Sequence, residues 1–168
     1  VSKWANMWRM TNDFWDRWKD LRAMFDYAEA WSRYIGPGHW PDADMLPLGR
    51  IGIRSAWGDR FTRFTRDEQV TLMSLWTIIR SPLMFGGDLR YNDEWTTALI
   101  TNEDVLRITK HSSGNRQLYR EGDAVAWTAV GDDGSVYLAH FNLGESEVTV
   151  TTDLSRLGLS GRYQVRDL

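Results

Sequence analysis

The sequence contains no cysteine. Disulfides, thiolate metal sites and cysteine nucleophiles are excluded, although a reducing compartment and an exported protein without bridges both fit that absence. No apolar run comes near the roughly 20 residues that cross a bilayer, so no membrane partner is expected. A surplus of one charge is missing too: 20 Lys and Arg stand against 23 Asp and Glu, a net of -3. The basic residues are scattered, whereas a nucleic-acid or polyanion binder gathers a basic face. Neutral partners are favoured and no nucleic acid is expected. Several catalytic signatures are absent as well: the Gly-x-Ser-x-Gly elbow, the Walker loop, the zinc-binding His-Glu-x-x-His and the Rossmann fingerprint. Gly36-Pro37-Gly38 is too rigid and too poor in glycine spacing to cradle a phosphate. No cofactor is implied.

What is present is aromatic. Ten tryptophans in 168 residues exceed ordinary usage, and an indole stacks on the apolar face of a sugar while donating one hydrogen bond. The same rings also serve as core, so their positions must decide. The chain opens at Val1 without Met, is in aromatic residues by Trp4, and stops at Arg166-Asp167-Leu168. Both ends read as cuts in a longer polypeptide.

Phe14, Trp18, Leu21, Phe25 and Ala28 recur at steps of four and three, which predicts a helix over about 14–34 closed by Gly36-Pro37-Gly38. Thr65 and Glu68 form a capping box. Behind them Val70, Leu72, Met73, Leu75, Trp76, Ile78 and Ile79 cover nearly a whole helix circumference, so that helix is expected to be deeply buried. Arg80-Ser81-Pro82 ends it, Leu83-Met84-Phe85 reads as a short buried strand, and further helices start near Asn92 and Asn102. With extended segments at the start and around 40–48, residues 1–112 alternate strand and helix like the later units of a (β/α)₈ barrel. Beyond Gly114 the pattern becomes β-rich: Ala124–Val130, Ser135–Asn142, Glu147–Thr152 and Tyr163–Arg166 are separated by turn signals. Residues 113–168 therefore read as an antiparallel β-domain, with the boundary in His111-Ser112-Ser113-Gly114-Asn115.

Barrel enzymes carry their working side chains at the C-terminal ends of strands. Three clusters qualify: Trp8 to Asp13, Trp40 to Met45, and Gly86 to Arg90. Asp13 stands where it would cap the following helix. Asp42 and Asp44 form an Asp-x-Asp pair that could hold a divalent ion, cap a turn, or accept from sugar hydroxyls. His39 is adjacent, but no further ligand lies at a diagnostic spacing, so no metal is expected. Asp88 with Arg90 reads as a structural ion pair.

Taken together, these clusters resemble glycoside hydrolase family 27, the α-galactosidase and α-N-acetylgalactosaminidase family. The likeness is carried by Trp4-Ala5-Asn6-Met7-Trp8-Arg9 followed by Asp13, then by Gly36-Pro37-Gly38-His39-Trp40-Pro41-Asp42-Ala43-Asp44-Met45-Leu46. Ser81-Pro82-Leu83-Met84, Asp88-Leu89-Arg90 and Thr101-Asn102-Glu103-Asp104-Val105 complete the set. The resemblance implies the C-terminal part of a (β/α)₈ barrel followed by an antiparallel β-sandwich. It also implies a retaining, double-displacement glycosidase that releases terminal α-linked galactose or a similar sugar from an oligosaccharide or glycoconjugate. Asp13 looks like the general acid/base, Arg9 and Asp44 like ligands of the sugar hydroxyls, Trp40 and Met45 like pocket walls, and Asp42 like a weaker member of the binding set. Pro41 and Ala43 depart from the family's commoner Trp-Asn-Asp-Pro-Asp, which bears on substrate rather than reaction class. The family nucleophile sits in a Tyr-x-Lys-x-Asp strand motif, and nothing here matches it. A complete site would then need an upstream half-barrel. The resemblance also suggests a periplasmic or secreted protein, although the region that would carry a leader is not in this sequence. The competing expectations are a non-catalytic carbohydrate-binding fragment built on the Trp-rich pocket and the β-domain, with Trp127 as its marker, and a purely structural domain.

Overall fold

A computed structural model describes residues 3–53, 56 and 58–168. The chain begins with strand β1 (Met7–Arg9), crosses through helix α1 (Trp18–Trp31) and returns as β2 (Trp40–Asp42). The two strands pair in parallel, with Met7 opposite Trp40 and Arg9 opposite Asp42. A hairpin of β3 (Arg50–Ile51) and β4 (Arg60–Phe61) follows, and then helix α2 (Arg66–Ile78). After α2 the chain returns alongside the segment beyond β2 through a parallel bridge of Leu46 with Phe85. Leu46 N–H donates to Met84 O (2.7 Å) and Gly86 N–H to Leu46 O (2.9 Å) on either side of that bridge. These are two consecutive β-α-β crossovers, the repeating unit of a (β/α)₈ barrel. The segment around Leu83-Met84-Phe85 is thus a single bridge rather than the strand its composition suggests.

Helix α2 forms as its sequence predicts. The Thr65 hydroxyl accepts from Glu68 N–H and the Glu68 carboxylate accepts from Thr65 N–H, so two otherwise unpaired donors are satisfied at once. Its apolar residues are buried except Val70, which is 42% exposed. Helix α1 starts at Trp18, four residues later than expected, and its N-cap is Arg17 without a side-chain hydrogen bond. Asp13 is therefore not a helix cap. Leu21, Met24, Phe25 and Ala28 make the buried face of α1.

Helices α3 (Glu94–Ile100) and α4 (Glu103–His111) are capped by Asp93 and Asn102. Strand β5 (Ser112–Glu121) follows α4 without a linker and pairs antiparallel with β6 (Ala124–Gly131), which pairs antiparallel with β7 (Val136–Asn142). This sheet packs on the crossover helices: Phe141 meets Phe25 edge to face at 5.0 Å between ring centres, and the Asn115 amide donates to Ile78 O at 2.7 Å. Residues 147–152 and 163–166, expected as strands, take no strand conformation. Trp127 of β6 is fully buried. Its ring is core and offers no platform for a sugar.

Candidate active site

Parallel pairing sets the two segments that follow β1 and β2 side by side. Arg9 closes β1 opposite Asp42, and Met10 N–H continues the ladder by donating to Asp42 O at 2.8 Å. The chain then turns sharply after β2. Asp42, almost wholly buried, accepts the Asp44 N–H at 2.7 Å, and Asp44 itself takes the left-handed conformation at φ 77°. That region costs an ordinary L-residue roughly 1 kcal/mol or more, and Asp is among the few that enter it, through local hydrogen bonds. The strain at Asp44 is held from both sides: Ala43 N–H donates to the Ser81 hydroxyl at 3.0 Å and the Trp76 indole N–H donates to Asp44 O at 3.0 Å.

The Asp44 carboxylate gathers the site. One oxygen accepts Phe14 N–H at 2.6 Å and a short ion-paired bond from Arg9, while the other accepts Met45 N–H at 2.7 Å. A carboxylate offers about four acceptor positions, so three are taken and one remains on the Met45 side. The same Arg9 nitrogen lies 3.5 Å from Asp13, whose side chain is 93% exposed. Arg9 thus stands between two carboxylates of different character, one locked into the fold and one open to solvent.

The Asp13 side chain is exposed, but its loop is held. Phe14, its neighbour, is buried with its ring 4.9 Å from that of Trp76. Asp16, whose side chain is 1% exposed, makes a two-pronged ion pair with Arg60 and accepts Arg63 N–H at 2.7 Å. Burial pushes the Asp16 carboxyl pKa up, yet the Arg60 hydrogen bond, the Arg63 N–H and the Arg60 charge outweigh it and leave the group below its ordinary value. The hairpin β3–β4 therefore anchors the loop that presents Asp13. Neither Asp16 nor Arg60 stands out in the sequence, because Asp16 lies inside the apolar spacing that reads as helix.

Of the residues predicted to form the site, Arg9, Asp13 and Asp44 come together, and Met45 lies beside them. Met45 packs so closely under Gly86 that a Cβ there would come within 2.6 Å of its sulfur. Asp42 is turned inward, holding the Asp44 backbone. Trp40 is not brought to the cluster: it begins β2, two residues and roughly 6.6 Å of strand before Asp42, and the Arg80 guanidinium lies 4.2 Å over its ring. Asp88 and Arg90 form the ion pair expected of them, and the bond to Arg90 holds the Asp88 carboxyl at about 2. Among the described residues, no group of three or more His, Asp or Glu is placed to hold a metal ion.

Residues 1–111 match the family model of alpha galactosidase A, and residues 121–168 match that of the alpha galactosidase C-terminal beta sandwich domain. Among solved structures, a glycoside hydrolase family 27 β-L-arabinopyranosidase from Geobacillus stearothermophilus is 56% identical with a TM-score of 0.90, covering 94% of this chain and 37% of that one. "Alpha-galactosidase 2" of Arabidopsis thaliana is 29% identical over 98% of this chain and 40% of its own length. "Alpha-galactosidase A" of Homo sapiens is 33% identical over 73% of this chain and 27% of its own length. The chain spans about two-fifths of the Geobacillus and Arabidopsis relatives and about a quarter of the human one. With two family models in consecutive order over its length and a shared fold, the chain belongs to the α-galactosidase family of glycoside hydrolases, family 27.

Proposed function

We propose that this chain supplies the acid/base half of a retaining glycosidase active site, with Asp13 as general acid/base, and that a preceding half-barrel supplies the nucleophile. The observation that carries this reading is the pairing of one open carboxylate, Asp13, with one spent carboxylate, Asp44, through a single Arg9 nitrogen. Asp13 can give a proton to a leaving oxygen and take one from water, because solvent and substrate reach it. Asp44 cannot act as the nucleophile, since both its oxygens are held by N–H donors and Arg9. Its remaining acceptor position and the outer edge of Arg9 suit sugar hydroxyls, and the apolar side chain of Met45 suits a wall of the pocket. A retaining enzyme sets its two carboxyls about 5 to 5.5 Å apart across the scissile bond, and the second one comes from outside residues 1–168.

The sugar is of galacto configuration. α-D-Galactopyranose and β-L-arabinopyranose share the same ring stereochemistry and differ by one hydroxymethyl group, and the solved relative at 56% identity acts on the second. A pocket built on ring hydroxyls, as around Arg9 and Asp44, serves both. The test joins this chain behind the preceding half-barrel and compares leaving groups in Asp13→Asn. An acid/base role requires that alkyl glycosides, which need protonation, lose about 100- to 10,000-fold in rate, while p-nitrophenyl glycosides keep more of their first-step rate. Equal losses for both would remove Asp13 from that role.

A further inference from the structure

At the opposite end of the same strands lies a second charged group with no carboxylate partner. Arg80 is 5% exposed and is the one buried basic residue among those described. It follows α2 in the left-handed conformation at φ 58°, a region with no local benefit for arginine. Its Nε donates to Thr109 O at 3.1 Å and its guanidinium lies 4.2 Å over the Trp40 ring. Its two terminal nitrogens have no hydrogen bond among the described residues and are not fully enclosed, so they keep some contact with solvent, while burial of the group as a whole holds its pKa below the ordinary arginine value. The other well-covered arginine, Arg60, shows the usual solution, a two-pronged carboxylate.

The position indicates where such a carboxylate would come from. Trp8 packs against Trp31 of α1, with ring centres 5.9 Å apart, so the opposite face of β1 and β2 carries Met7, Arg9, Trp40 and Asp42 and points to the barrel interior. Met7, in register with Trp40, is half exposed. This interior face is open where further strands of a (β/α)₈ barrel would stand, and the chain covers 37% of the solved relative's length.

We propose that Arg80, seated on Trp40, is the receptor for a carboxylate carried on the inward face of the preceding half-barrel, and that this buried ion pair locks the barrel floor. The proposal rests on the reading that such a half-barrel completes the protein. Completing a buried pair reverses the effect of deleting the cation: a lone buried charge destabilises its host, whereas a paired one, once removed, strands its partner.

The experiment measures melting temperature in the chain alone and in the chain joined behind the preceding half-barrel, its own or that of the Geobacillus stearothermophilus relative. Arg80→Met keeps the bulk over Trp40 and is expected to leave the melting temperature of the isolated chain unchanged or raised. In the joined protein it is expected to fall by about 5 °C or more, with Arg80→Lys recovering part of the loss. A fall of equal size in both, or no fall in the joined protein, would mean that Arg80 only packs and would overturn the proposal. A second reading needs no isolated chain: in ¹⁵N spectra of the joined protein, paired terminal nitrogens of Arg80 rotate slowly and give separate signals. A single averaged signal would also overturn it. Turnover of glycosides by the joined protein is scored separately, so failure of the glycosidase reading and failure of the floor lock are told apart.

Discussion

The two ends of the parallel strands each contain a non-glycine residue in the left-handed region, Asp44 at φ 77° and Arg80 at φ 58°, yet they are stabilised in opposite ways. At the C-terminal end the charges that hold the geometry are answered within the chain, and Asp13 alone stands open. Asp44 is bound by Arg9, Phe14 and Met45, its backbone by Asp42 and Trp76, and the adjoining loop by Asp16 with Arg60. At the N-terminal end Arg80 has one hydrogen bond and one ring. An end proposed to be catalytic must hold its geometry before substrate arrives, in keeping with its local support. The proposed floor would gain its last contacts only when the barrel closes.

The comparison can be broken hardest at the Asp16 anchor. Arg60→Ala leaves a buried carboxylate without its counter-charge and is expected to cost about 3 to 5 kcal/mol of unfolding free energy, read by urea titration. Its pH signature separates charge from packing. With Arg60 present the Asp16 pKa is depressed in the fold, so its contribution is complete above the ordinary value of 3.8 and is lost as pH falls through the depressed one. With Arg60 gone, burial dominates and the sign reverses, so the penalty of Arg60→Ala should shrink from pH 7 to pH 4. A penalty independent of pH would show that packing alone is lost.

Asp44→Asn gives a smaller effect. It keeps size and tolerance of the left-handed region but replaces one acceptor oxygen by a donor facing N–H groups or Arg9, at about 1 to 3 kcal/mol. Glycoside turnover in the joined protein should fall with it, because the hydroxyl-binding position is lost too. The smallest effect belongs to the floor. Trp40→Leu removes the ring beneath Arg80, worth about 0.5 to 2 kcal/mol beyond the burial it also loses, and leaves KM for a p-nitrophenyl glycoside within about twofold. A large rise in KM would return Trp40 to the sugar pocket, where the family resemblance placed it.

What could be read in advance follows from the range of the interactions involved. The capping box of Thr65 and Glu68 and the apolar spacing of α2 are local, and that helix begins one residue after its predicted cap. The start of α1 was hidden because Phe14 continues the apolar spacing of Leu21 and Phe25 while its N–H is claimed by Asp44, thirty residues away. Strand β5, Ser-Ser-Gly-Asn-Arg-Gln-Leu-Tyr-Arg-Glu, has little hydrophobic alternation and pairs with two register shifts, so its composition carries no strand signal and the first strand expected in the β-domain was Ala124–Val130. In the site, the four-residue step from Arg9 to Asp13 was legible, as was the Asp42–Asp44 pair. Which oxygens were already occupied was not, since that depends on Phe14, Arg60 and Trp76 meeting from three separate segments.

The most direct test of the account is hydrolysis of p-nitrophenyl α-D-galactopyranoside and p-nitrophenyl β-L-arabinopyranoside by residues 1–168 alone and by the same chain joined behind a half-barrel. The account requires turnover of at least one substrate in the joined protein and none in the isolated chain. Turnover by residues 1–168 alone that disappears in Asp13→Asn would contradict it, because the second carboxylate would then lie within this chain.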